Sequence, residues 1–177
     1  MSRTIAITAI AIAALLALAA TRSKTCRSKT GIAFNVSGKT DCVMTKIAEV
    51  NDRVSRVASS LRGTQTGAKI VMRWNGRIDE LDAAVSDAAA LTTGKRSIQI
   101  CTKPDASVDA LVFVALHELA HIACDEIGHT RKFWAEFRYI LDEATRNGAY
   151  SGHDPNAIVC GHVLGRVPPR SSPRLEQ

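Results

Sequence analysis

The residues best suited by type and spacing to chemistry are His117-Glu118-Leu119-Ala120-His121. On an α-helix the two histidines, four positions apart, project from one face about one turn from each other. Two neutral imidazoles so placed can ligate one Zn2+, with Glu118 beside them as base for the water that the metal activates. A helix whose polar face merely carries His, Glu and His is the bland alternative. A catalytic zinc site needs a third protein ligand and keeps one position open. His129 is the candidate, because Gly128 before it lets the chain reverse after the helix and bring an imidazole back. Its rivals are Glu136 and Glu143 on the next helix, and His129 could also be an ordinary loop residue. Cys124, three residues past His121, competes poorly with a ligand brought from another segment. Tyr150 and His153 are candidate neutral donors to an oxyanion, against a plain loop role, and His162 has no assignable role.

These residues need elements to hold them. The apolar run Leu111–Leu116 precedes the motif and Ile122-Ala123 follows it, so a helix is expected from about Val108 to Cys124 or Glu126, with Ser107 as its N-cap. Gly128 suits the left-handed turn that closes a helix. Ser97-Ile98-Gln99-Ile100-Cys101 alternates like a half-buried strand, and a hairpin of roughly 86–91 with 97–101 is possible across the turn at Thr92-Thr93-Gly94-Lys95. Upstream, Val43, Ile47, Val50, Val54, Val57 and Leu61 make one apolar helix face, with Thr40-Asp41 as a cap and Gly63 near the end. Residues 64–80 break up around Gly67 and Trp74-Asn75-Gly76. A last helix, about Arg131–Arg146, places Phe133, Trp134, Phe137, Ile140, Leu141 and Ala144 on one face and ends at Asn147-Gly148.

Charge and cysteine usage narrow the setting. The chain has 177 residues and a formal net charge of +6, with room for one globular domain plus tails. Removing Arg3, Arg22, Lys24, Arg27 and Lys29 at one end, and Arg166, Arg170 and Arg174 against Glu176 at the other, leaves 15 basic and 16 acidic side chains in residues 31–165. A body that close to neutral argues against nucleic acid as a partner. Residues 4–21 carry no charge and as a helix would reach about 27 Å, just short of a bilayer core of about 30 Å. An uncleaved anchor is favoured over a cleaved signal ending near Ala17-Leu18-Ala19, or a buried helix. The basic residues that follow it favour a cytoplasmic body. Cys26, Cys42, Cys101, Cys124 and Cys160 are odd in number and contain no CxxC pair, so buried free thiols are expected for most.

The string His117-Glu118-Leu119-Ala120-His121, Gly128-His129-Thr130, Phe133-Trp134 resembles the WLM metalloproteases, relatives of the SprT-like group. Those are compact zincins whose third histidine precedes a Phe-Trp pair on the following helix. More similar still are small WLM-like proteins of large DNA viruses of algae, with an N-terminal apolar segment, a strand before the zinc helix and a Cys-Gly near the end, here Cys160-Gly161. The resemblance covers about residues 68–165 and is most specific in 111–150. It implies a zinc peptidase with His117, His121 and His129 as ligands and Glu118 as base. This chain differs in a longer gap between His121 and His129. It also lacks the appended partner-binding motifs of the cellular enzymes, so their role on DNA-crosslinked proteins is not implied.

The expected protein is therefore α+β: a helix-dominated zincin-like domain over 39–165 with a small β-hairpin or sheet. A transmembrane helix within 1–21 and a basic linker over 22–38 precede it, and a disordered tail over 166–177 follows. The expected function is a membrane-anchored zinc endopeptidase with one Zn2+, acting on a protein or peptide at a host or virion membrane. A structural viral membrane protein that keeps the zinc fold, or a hydrolase of non-peptide bonds, is the alternative.

Overall fold

Residues 23–37, 41–82, 86–103 and 105–168 are described by the computed structural model. The chain first forms a hairpin of β1 (Ser23–Arg27) and β2 (Ala33–Ser37), paired antiparallel. Phe34 and Val36 point inward and pack with Ile47 of α1 (Asp41–Ser60). This hairpin occupies the stretch expected as a basic linker. Its alternation rests on only two buried apolar residues, too short a signal against the surrounding lysines and arginines.

Along α1 the predicted stripe holds: Ile47, Val50, Val54 and Val57 are fully buried and Leu61 follows them inward. Val43 falls where no side chain is described. Asn51 interrupts the stripe with a purpose, because its amide donates to the Ile47 and Ile78 carbonyls and accepts from the Ile78 N–H at 2.8 Å. A buried amide is tolerable when its hydrogen bonds are made, and these stitch α1 to β3 (Ile78–Glu80).

Between them lies α2 (Gln65–Arg73), a helix the broken pattern of residues 64–80 concealed. Thr64 caps it by accepting from the Gly67 N–H. A Cβ at Gly67 would sit 2.0 Å from the Leu61 carbonyl oxygen, so glycine alone lets α2 start this close to the end of α1.

Two further strands, β4 (Ala90–Thr93) and β5 (Ser97–Ile100), complete a three-stranded sheet in the order β3-β5-β4. The expected hairpin is present, shifted toward the turn: β4 runs antiparallel to β5, while β3 joins parallel on the other side. β4 is therefore an edge.

Against this sheet lies α3 (Val108–Ala123), with α1, α2 and α4 (Arg131–Arg146) packed on its other sides. Every residue from Ala110 to Leu116 is buried, as a helix apolar nearly all round must be. Ser107 caps α3 as expected, accepting from the Ala110 N–H at 3.1 Å, and Thr130 does the same for α4 through Phe133. Buried leucines and phenylalanines contribute about 1.5–3 kcal/mol each, so α3 and α4 form a rigid base for what they carry. A small hairpin, β6 (Ile158–Val159) with β7 (His162–Val163), is the last strand pair before residues 164–168.

Two expectations are corrected. Cys101 and Cys160 are not free thiols but a disulfide across 59 residues, joining the exit of β5 to the β6–β7 hairpin. Spacing alone could not reveal it, since only the fold brings the two together; Cys124 remains a buried thiol. The transmembrane helix and the membrane placement are corrected too. Among the described residues no helix is long and apolar enough to cross a membrane, and the expected span 4–21 lies outside them. The apolar helix, α3, has 16 residues, about 24 Å, and α1 carries a charged outer face.

Candidate metal centre

From Ala110 to Ala123 helix α3 is buried except at His117, Glu118 and His121, all half-buried. The loop after it returns His129, so that the three imidazole rings form a nearly equilateral triangle with centroids 4.9–5.0 Å apart. His117 Nε2 and His129 Nε2 approach to 2.9 Å, and one nitrogen from each of the three rings lies within 4.8 Å of the others. Ligand nitrogens on a tetrahedral zinc, at about 2.0–2.1 Å from the ion, stand about 3.3 Å apart. The donor set fits, and these three residues could hold a metal ion.

Phe133 and Phe137 of α4, both fully buried, floor the cluster; the His121 ring stacks on Phe133 at 4.2 Å. Burial, then the neighbouring His121 and His129, push the His117 pKa down to about 3. Burial likewise lowers His121, to about 4, helped by His129 and Lys95, and it lowers His129. All three are thus neutral at ordinary pH, the state in which imidazole ligates a cation. Trp134 forms a further wall, 5.5 Å from the His129 ring, and its indole N–H is buried with no acceptor among the described residues.

Glu118 points into a cleft of about 530 Å3 lined by Leu91, Thr92, Lys95, His121 and Ile127 among others. Burial raises its pKa, opposed by a 2.7 Å hydrogen bond from the Thr92 hydroxyl to one carboxylate oxygen. Neither Thr92 nor Lys95 was singled out by sequence reasoning, which saw only the Thr-Thr-Gly-Lys turn. A larger cleft, about 860 Å3 between the β1–β2 hairpin and α1, contains none of these residues.

The rival ligands are engaged elsewhere. Glu136 accepts from the Thr66 hydroxyl at 2.7 Å, and Glu143 pairs with Arg146. Tyr150 and His153 are brought to each other, 2.5 Å apart, beside Phe113 one turn before His117. His153 Nε2 lies 3.1 Å from the Gly165 carbonyl and must donate to it, so Nδ1 accepts from the Tyr150 hydroxyl. That hydroxyl is already committed as a donor. His162 Nε2 donates to the Asp87 carbonyl and fastens the last hairpin.

No family model matches the chain. It is 42% identical over 73 residues to uncharacterized protein 136R of Invertebrate iridescent virus 6, covering 37% of this chain and 41% of that one. Uncharacterized protein 042R of Invertebrate iridescent virus 3 is 38% identical over 76 residues, 40% of this chain and 48% of the relative. The chain thus spans less than half the length of these curated relatives. No solved structure matches.

Proposed function

We propose that the chain is a zinc-dependent endopeptidase in which His117, His121 and His129 hold one Zn2+ and Glu118 is the catalytic base. The single observation that carries this reading is the triangle of three neutral imidazoles with a carboxylate next to it in an open cleft. A zinc ion there supplies Lewis-acid polarisation of a carbonyl and an acidified water near neutral pH.

The chain's own residues do the rest. Glu118 accepts the proton of the attacking water and passes it to the departing amine. Its raised pKa makes it a stronger base, and Thr92 fixes the direction of one of its oxygens. Peptide is favoured as substrate because β4, an edge strand, contributes Ala90, Leu91 and Thr92 to the cleft wall. Its unpaired backbone groups can receive an extended chain.

A peptide library digested by the full chain, with and without chelator, beside Glu118→Gln tests this. The parent should cleave only with zinc, and Glu118→Gln should keep the metal while losing about 10²–10⁴-fold in rate. Cleavage persisting in purified Glu118→Gln defeats the role of Glu118. A parent that holds zinc yet cleaves nothing favours a non-catalytic protein with a zinc-binding fold.

A further inference from the structure

The segment that delivers His129 has no secondary structure to hold it. Among the described residues, 125–129 make no backbone–backbone hydrogen bond, and all five residues are exposed. What holds the segment is a group of cations from α2, the β4–β5 turn and α4, whose Lys132 lies 3.7 Å from Asp125. Lys95 Nζ, from the β4–β5 turn, donates to the Cys124 carbonyl and, at 3.0 Å, to the Glu126 carbonyl. From α2, Arg73 donates to the Ile122 carbonyl at 2.9 Å and to Asp125 at 2.7 Å, and Lys69 reaches Asp125 at 2.6 Å.

An independent observation picks out Lys95. The turn Thr93-Gly94-Lys95-Arg96 places both central residues in the left-handed region, Gly94 at φ 58° and Lys95 at φ 52°. Left-handed φ favours Gly or Asn at these positions, and a lysine there is strained. A strained residue persists where the surroundings use it, and here the use is an ammonium that spans two carbonyls of the His129 segment.

We infer that Lys95 is a positioning residue for the metal centre: its ammonium clasps the Cys124 and Glu126 carbonyls and so pre-sets the segment that carries His129. The inference rests on the metal-centre reading above. Its sign is opposite to simple electrostatics. Lys95 lies close enough to His121 to lower its pKa, so removing the positive charge should by itself favour a bound cation. Loss of the clasp should disfavour it.

Lys95→Asn and Lys95→Gly suit the turn better than lysine does, so they should fold and leave the metal-free melting temperature unchanged or higher. Zinc affinity, measured in the full chain by competition with a chromogenic chelator, should fall about 10–100-fold, the usual effect of losing a group that supports a ligand. Lys95→Arg, which can still donate to two carbonyls, should recover most of it. The Co2+ absorption bands of Lys95→Asn should depart from the parent's. Zinc held by Lys95→Asn as tightly as by the parent, or more tightly, overturns the proposal. So does a fall in metal-free stability equal to the fall in zinc affinity in Lys95→Gly, since lysine would then serve folding alone. A parent that binds no zinc removes the metal-centre reading itself, and this inference with it.

Discussion

His121 and His129 turn their rings toward the same point, yet the molecule holds them in opposite ways. His121 sits on α3, whose amides are bonded within the helix and whose apolar residues are buried on nearly every side. His129 sits on a segment fixed by side chains reaching in from α2, α4 and the β4–β5 turn. Two ligands are thus guaranteed by the hydrophobic core and the third by a few polar contacts. Stability and metal affinity should therefore respond to different residues.

Mutations in the helical half should register first as lost stability. Phe133→Ala removes the floor under His117 and His121 and should cost about 3–5 kcal/mol, read by urea denaturation. Cys101→Ser opens the disulfide across 59 residues and should cost about 2–4 kcal/mol; an unchanged midpoint would show that the β6–β7 hairpin is independent of the core. Ser107→Ala removes the N-cap of α3 and should cost about 1 kcal/mol. Asp125→Asn, by contrast, acts on exposed pairs in the other half. It should barely move the melting temperature while weakening zinc retention, by less than Lys95→Asn does. Hydrogen exchange offers the same contrast without mutation: amides 112–120 should exchange near the global unfolding free energy, and 126–129 far below it.

Acid should act on the metal-free protein through His117 and His121. The folded pKa values of His117 and His121, about 3 and 4, lie below the ordinary value of 6.5. The unfolded chain then binds more protons than the folded one as pH falls below 6.5, so stability is full above that pH and falls as pH drops toward 4. Replacing both histidines with glutamine should flatten that part of the profile; an unaltered slope would place the titration elsewhere.

How much of this could be read beforehand follows the same divide. Periodicity revealed α1, α3 and α4, because each buries a long apolar face, and the motif on α3 needed only helical geometry. His129 was legible through Gly128, which takes φ 80°, although the helix ends at Ala123 and the glycine turns the loop instead of closing the helix. The hairpin over 23–37 and helix α2 were hidden by basic residues and by Gly67. The disulfide, the parallel strand β3 and the contacts of Lys95, Thr92 and Asp125 all join residues distant in the chain. No local pattern encodes such meetings.

Zinc content of the purified full-length chain and of His129→Ala, measured by mass spectrometry after dialysis, tests the three-imidazole site most directly. One zinc per chain in the parent, and loss of tightly bound zinc in a His129→Ala protein that still melts cooperatively, is the predicted result. One zinc per chain retained in His129→Ala would contradict it.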